Sequence, residues 1–385
     1  MVTAYELALA HQARVISVSD RAVRRALAAW RQMDFENLDA SWGVVGPQVS
    51  SLVVAAQMSN ARSSSGYAGA ASTIGPSDPA DGLVNPSAFT GVDGSGRDID
   101  GLLHGAVTTT KESVGAGLRS AESLLSGATY LAAMMKTAIH DLSRSSDLTA
   151  ATSRKYTAYV RVVQSSACSR CAILAGISDS EVAFKRHPAC KCTSYPVDKQ
   201  DVPNGFHATP DDYFASLSRE EQDRVFTKSG AEAIRAGASP QSIVSARRGA
   251  SGISYGRGIG GGTQANSGRR LTRTVIGQRA DGSAILGYTT SEGTTVRGSF
   301  GRTQSRIGVG SQRVAGNRYS AVKRTRLMPE SILPLTKDPE LRTVLLRDAG
   351  YLDLPYSPSL NRIAAAAEDR AIADEFYRKL GISLG

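Results

Sequence analysis

The chain is sparing with the residues that usually do chemistry or cross-link a fold. Among its 385 positions there are four cysteines, five histidines and two tryptophans, and aromatic residues make up only 6%. No apolar run approaches the roughly 18–20 residues of a membrane-spanning helix, the longest patch being near Tyr130–Met135, so neither a span nor a membrane partner is expected. The start, Met1 to Leu9, lacks the basic stretch followed by an apolar run that marks a secretion signal, and folding in a reducing cytoplasm is expected. No Gly-x-Ser-x-Gly elbow is present. The His-x-Glu and Pro-Cys-x-x-Cys pair of zinc deaminases is missing too. Gly258–Gly262 and Gly308–Gly310 are glycine-rich but stand in no strand-to-helix context, which leaves little for nucleotide binding.

What cysteine there is lies in one place. Cys168-Ser-Arg-Cys171 is followed, after fifteen residues, by His187-Pro-Ala-Cys190-Lys-Cys192. A Cys-x2-Cys pair with a second pair fifteen to twenty residues on is zinc-ribbon spacing. Eighteen residues separate Cys171 from Cys190, although the second pair is one residue tighter than usual and His187 is a spare ligand. Tetrahedral Zn2+ takes four donors, and thiolate and imidazole suit it. The expected cofactor is therefore a structural Zn2+ held by both thiols of the first pair and two of His187, Cys190 and Cys192. Disulfides and free thiols are the alternatives at this point, and catalysis a third: Glu181 is the nearest acid before His187, with no fixed role. His11, His104 and His140 fall on expected helices and read as buried or solvated side chains, whereas His207 precedes a helix in a loop.

Apolar periodicity predicts a mainly α protein. Leu7, Val15, Val18, Val23, Leu27 and Trp30 recur at helical spacing over 3–33. A second helix is expected over 36–62, kinked or broken at Gly46-Pro47. The Ser/Gly/Pro-rich stretch 63–97 reads as a linker. Helix is expected again from about Asp98 to Ser145, and once more over 149–166. Thr209-Pro-Asp-Asp and the capping box Ser218-Arg-Glu-Glu221 predict short helices within 210–248. Three more helices are expected from Leu327, from Lys337-Asp-Pro and over Pro358–Leu380. The domains implied are a helical region 1–148, an α-rich domain with the Cys/His knuckle over 149–248, a basic segment 249–326 and a helical tail 327–385.

The charge is as localised as the cysteine. Residues 246–326 hold fifteen basic side chains against two acids, Asp281 and Glu292, a balance of +13 where the whole chain carries +10. The remainder is thus net negative. Fourteen of the fifteen are arginines, which favours phosphate forks. Arg269, Arg270, Arg273, Arg302, Arg306, Arg313, Arg318, Lys323 and Arg324 are the candidate nucleic-acid contacts, with double-stranded DNA as the expected partner. An acidic protein surface or an inert linker are the alternatives. Asp281-Gly282 between two apolar runs predicts a β-hairpin, and the flanks, especially Gly256–Gly268, read as disordered.

At the cysteines the chain resembles the phage Mu F-like head morphogenesis family, minor capsid proteins of tailed bacteriophages. The match lies in Cys168-Ser-Arg-Cys-Ala-Ile-Leu-Ala-Gly176 and Arg186-His-Pro-Ala-Cys-Lys-Cys192. Likeness to the actinobacteriophage versions continues in Glu221–Ala231, Ala246–Gly249, Ser291–Thr295 and Arg326–Glu330, so that it spans roughly 150–350. The resemblance implies a virion protein made in the host cytoplasm and placed inside the head. Its implied partners are the portal protein and the major capsid or scaffold protein, with a contact to packaged DNA. Some relatives are labelled capsid maturation proteases, and that activity is the alternative function.

Overall fold

The computed structural model describes residues 2–385 apart from 76, 165, 200–201, 251–252, 256–268, 272 and 354–360. It is mainly α-helical, as the periodicity predicts. Two compact units form, Met1–Tyr213 and Phe214–Tyr255 with Gly268–Gly385. The expected domain 149–248 is divided between them.

The first unit begins with α1 (Ala4–Trp30), opened by a capping box in which Thr3 and Glu6 satisfy each other's backbone N–H groups. Val15, Val18, Ala22, Ala26 and Trp30 line its buried face. In α2 (Leu38–Ala71) the helix continues through Pro47, so of the kink or break expected there the break does not occur. The carbonyl that Pro47 leaves unbonded is that of Gly43, and both residues are exposed, so water can take its place. Trp42, Val45 and Val49 hold the inner face meanwhile. The same helix continues nine residues into the expected linker. Ser64, Tyr67, Ala68 and Ala71 are buried at i, i+3, i+4 and i+7, a helical stripe written in small residues.

The helix expected over 98–145 is two, α3 (Ile99–Gly115) and α4 (Ser120–Thr152), parted at Gly117, whose φ is +84°. Helices α1 to α4 enclose a core built around Trp30, Trp42, Leu103, Leu131, Met135 and Ile139. After α4 the expected helix 149–166 gives way to a strand, because Tyr159-Val-Arg-Val-Val163 is β-branched and aromatic. Strand β1 (Ala158–Val162) is central in an antiparallel sheet ordered β2-β1-β3. The short helix α5 (Ser169–Ala172) separates it from β2 (Ile177–Asp179), and β3 is Thr193–Val197. Every residue of β1 and β3 is buried, and the sheet packs on Ala4, Ala8, Tyr67 and Ala71.

Helix α6 (Pro210–Ser216) spans the change of unit. The second unit holds α7 (Arg219–Phe226), opened by the expected Ser218–Glu221 capping box, then α8 (Lys228–Arg235) and α9 (Pro240–Arg248). Strands β4 (Ile253–Tyr255) and β5 (Arg269–Leu271) pair, while the segment 256–268 lies outside the described residues. The expected hairpin is β6 (Thr274–Gln278) with β7 (Ala284–Gly287), turning at Gly282 with φ +82°. Next come β8 (Thr289–Thr290), α10 (Ser299–Arg306), the hairpin β9 (Ser311–Arg313) with β10 (Ser320–Val322), and β11 (Arg326–Leu327), which pairs with β8. Helices α11 (Pro329–Ile332), α12 (Pro339–Asp348) and α13 (Arg362–Lys379) form the tail. Among the described residues no helix is long and apolar enough to cross a membrane.

Gly127 lets α4 close on its neighbours: a Cβ there would stand 2.6 Å from Trp30 Cζ2 and 2.7 Å from the Ala106 carbonyl oxygen. Alanine is the better helix former by about 1 kcal/mol, yet Gly127→Ala is expected to destabilise the protein by about 1–3 kcal/mol through overpacking. Urea unfolding measures the sign directly.

Candidate metal centre

Both halves of the cysteine motif fold as tight turns. Cys168 caps α5, and its carbonyl accepts from the N–H groups of Cys171 (2.9 Å) and Ala172 (3.0 Å), which brings the two thiols to one side. In the second half Cys190 N–H donates to the His187 carbonyl at 3.1 Å. The turn needs a left-handed residue, and Ala189 takes it with φ +56°, held by donation of its N–H to Thr137 Oγ1 of α4 at 2.8 Å. The strand ends of the sheet fix the rest, since β1 precedes the first pair and β3 begins directly after Cys192.

The two turns bring all five expected donors together. Cys168 Sγ and Cys171 Sγ lie 3.1 and 3.3 Å from His187 Nε2, and Cys171 Sγ lies 3.5 Å from Cys190 Sγ. The donors fall into two groups, Cys168–Cys171–His187 and Cys171–Cys190–Cys192, each within 4.8 Å throughout. Cys171 belongs to both groups, and so stands within 4.8 Å of each of the other four. Metal–sulfur bonds of about 2.3 Å around a tetrahedron give edges of about 3.8 Å, so the observed spacings are of the right size for one ion. All four cysteines are free thiols. The cluster can therefore hold a metal ion, and its soft donors suit a soft or borderline one.

Without metal the thiols share protons unequally. Cys171 donates to Cys168 and Cys190, which pushes its own pKa up. The same bonds pull Cys190 down and bring Cys168 to about 4, with His187 assisting at Cys168. The Cys168 thiolate in turn raises His187. His187 Nδ1 donates to the Pro188 carbonyl at 2.8 Å, which fixes the tautomer with Nε2 turned to the sulfurs.

A second layer on α4 escaped the sequence reading. Buried Arg144 donates through Nε to the Cys192 carbonyl at 2.8 Å, through Nη2 to the Cys190 carbonyl at 2.5 Å, and through Nη1 to Asp141 at 2.9 Å. Asp141 also takes a bidentate pair from Arg186, at 2.9 and 2.5 Å. Thr137, Asp141 and Arg144 form a polar stripe at i, i+4 and i+7 on a largely buried helix, and that pattern was the available signal. Phe184 lies under Arg161 at 3.7 Å and stacks on Tyr159. His140 is buried beside this layer, and burial lowers its pKa to about 3, so it stays neutral. One side of the cluster is open. A groove of about 850 Å³ along α1 and α4, lined by Ile16, Leu27, Leu125 and Ala132, ends at Cys168, Cys171 and His187.

Other expected residues fare differently. His11 is buried 2.8 Å from Asp147 and stacked on Tyr67. The hydroxyl of Ser64 reaches Asp147 at 2.7 Å, not the imidazole, the reverse of the order a serine nucleophile requires. His207 packs edge-on to Tyr213, and burial lowers its pKa. In the second unit Arg324 is a correction: it is buried between Asp348 (2.8 Å) and Asp374 (2.7 Å), so its guanidinium cannot meet a phosphate. Arg302, Arg306, Arg313, Arg318 and Lys323 are exposed. Arg273 is exposed and lies over Tyr288 at 5.6 Å. The side chains of Arg269 and Arg270 on β5 lie outside the described residues.

Cys171→Ser is expected to abolish metal retention, read by elemental mass spectrometry, and to lower the melting temperature of the first unit, because metal binding is folding free energy here. Arg144→Met leaves two cysteine carbonyls unpaired and is expected to cost about 1–3 kcal/mol with weaker metal retention. Since His187 carries a raised pKa, acidification is expected to release the metal by returning protons to the donors. No protein-family model, curated protein or solved structure matches this chain.

Proposed function

We propose that this chain is a minor head protein of a tailed bacteriophage, acting in head morphogenesis close to the portal, with a structural Zn2+ in its cysteine cluster. The observation that carries the reading is that Cys168-x-x-Cys171 and His187-Pro-x-Cys190-x-Cys192 meet in two donor groups that share Cys171. That motif is also what resembles the Mu F-like family. The choice of Zn2+ follows from donor chemistry: thiolates and one imidazole, with no redox demand and no preferred geometry beyond the tetrahedron.

A structural role fits better than a catalytic one on two grounds. A hydrolytic zinc needs an open position and a neighbouring base, usually a carboxylate. The cluster offers five protein donors where a tetrahedral ion takes four, and among the described residues neither Asp nor Glu lines the groove beside them. The protease alternative needs a nucleophile on an imidazole, and the buried Ser64–Asp147–His11 chain runs in the wrong order for that. Such a protein would reside in the head interior, with portal, major capsid or scaffold protein as its neighbours and packaged DNA in reach.

Mass spectrometry of purified virions is expected to find the intact chain in low copy number, and its gene is expected beside a portal gene with scaffold and capsid genes downstream. Cleavage of co-expressed scaffold or capsid protein that a single Ser or His substitution abolishes would favour the protease instead.

A further inference from the structure

Between Glu292 and Glu330 the sequence contains no acidic residue, yet it holds eight basic ones. The fold sorts these by role. Arg324 and Arg326 turn inward: the first meets Asp348 and Asp374, and the second donates to the carbonyls of Glu292, Ala349 and Gly350 and lies over Tyr351 at 4.3 Å. The other six, Arg297, Arg302, Arg306, Arg313, Arg318 and Lys323, are exposed, and none is in an ion pair among the described residues.

Those six sit on one substructure. Arg302 and Arg306 are four apart on α10 and share a face. The chain then passes directly into the β9–β10 hairpin, whose base is tied down by Val322 N–H to the Thr294 carbonyl (2.9 Å), Val296 N–H to Ser320 (3.0 Å) and Lys323 N–H to Gly310 (2.9 Å). Beyond that base β9 and the tip stand free, whereas β10 is half-buried and its Val322 belongs to the core. Gly310–Arg313 and Ala315–Tyr319 are exposed, although alternate side chains of a strand point to opposite faces. Neither face of β9 is packed on the unit's own core. The tip is ordered by Asn317 N–H donating to the Val314 carbonyl at 3.0 Å and by Gly316 at φ +73°. Arg313 and Arg318 flank it.

We propose that the exposed β9 edge and tip of this hairpin form an arm that enters the major groove of duplex DNA, while Arg302 and Arg306 at its base hold the flanking phosphates. A two-stranded ribbon fits a groove of about 12 Å width, and a convex, acid-free, arginine-tipped projection matches a concave anionic surface. An acidic protein would more naturally seek a concave or apolar receiving surface, and Tyr319 is the arm's one large exposed apolar side chain. Phosphate contacts dominate, so sequence preference is weak. The inference deepens the head-protein reading by naming what the basic segment touches, and rests on it only there. The virion proteome tests the role and the assay below tests the arm, so either can fail alone.

The test uses the full chain and a labelled random-sequence DNA duplex, with affinity measured by fluorescence anisotropy across a salt series. Each phosphate contact contributes about 0.9 to the slope of log affinity against log salt, so Arg313→Ala/Arg318→Ala is expected to reduce the slope by roughly 2 and weaken binding at least ~10-fold. Arg279→Ala/Lys337→Ala removes equal charge at exposed positions elsewhere in the second unit and is expected to bind nearly as the parent does. Circular dichroism melts should be unchanged for both, as all four side chains are exposed. Duplex RNA, with its narrow major groove, is expected to bind more weakly. Equal losses in the two double variants, equal affinity for RNA duplex, arm-dependent capture of polyglutamate in preference to DNA, or no salt-dependent binding at all would each overturn the arm.

Discussion

Arg144 carries its guanidinium into a place where water cannot follow, and every side of that group is used. Its three nitrogens meet the carbonyls of Cys190 and Cys192 and the carboxylate of Asp141. Burying a charge is costly unless it is paired and hydrogen-bonded, and here it is both. The consequence is geometric. A helix of the unit's helical core grips the backbone of Cys190 and Cys192, so both sulfurs are aimed by α4 and not by their own short loop. Asp141 extends the grip to Arg186, one residue before His187. The candidate ligands thus inherit their positions from a rigid element, the condition under which a ligand set is preorganised.

This dependence explains what could and could not be read from the residues alone. The cluster itself was legible, because soft donors at close spacing have few other uses. So were the capped helices of 210–248 and the hairpin at Asp281-Gly282, whose local chemistry suffices to form them. The partners on α4 were not, since Thr137, Asp141 and Arg144 meet the motif only through tertiary contact across some 46 to 52 positions. The same limit governs the helices. Pro47 and the serines and glycines of 63–71 argue locally against helix, but burial of Tyr67, Ala68 and Ala71 against the sheet and its neighbours outweighs that preference. Strand β1 reads as helix from the sequence because Tyr159–Val163 is short and mostly apolar, and periodicity cannot separate the two in so brief a run.

In the second unit the total charge misleads where placement does not. A count of arginines treats Arg324 as equal to Arg318, but one has carboxylates at 2.7 and 2.8 Å and the other faces solvent. Arginine serves both ends for one reason: a planar fork of donors is as good at binding the unit's own carbonyls and carboxylates as at binding a phosphate. Arg326, with three carbonyl partners and Tyr351 beneath it, is a packing residue that happens to be charged. The inward pair anchors the strand from which the outward hairpin rises. The enrichment in arginine over lysine therefore has two origins, and the structural share is smaller only in number.

The arrangement of the sulfurs also bears on whether they are ligands or a latent disulfide. A disulfide is exclusive: each sulfur takes one partner, with bonded atoms about 2.05 Å apart. Four thiols destined for two bridges would be expected to stand as two separate couples. Cys171 instead is shared, being within 4.8 Å of Cys168, His187, Cys190 and Cys192 alike. A bridge at Cys171 would use only one of those contacts and forgo the other three. A metal uses several at once and places its charge beside Cys168 and Cys190, whose thiols already lose their protons readily. Sharing at a common centre is what coordination requires and what covalent pairing cannot use, so the cluster's geometry favours a bound ion over a bridge.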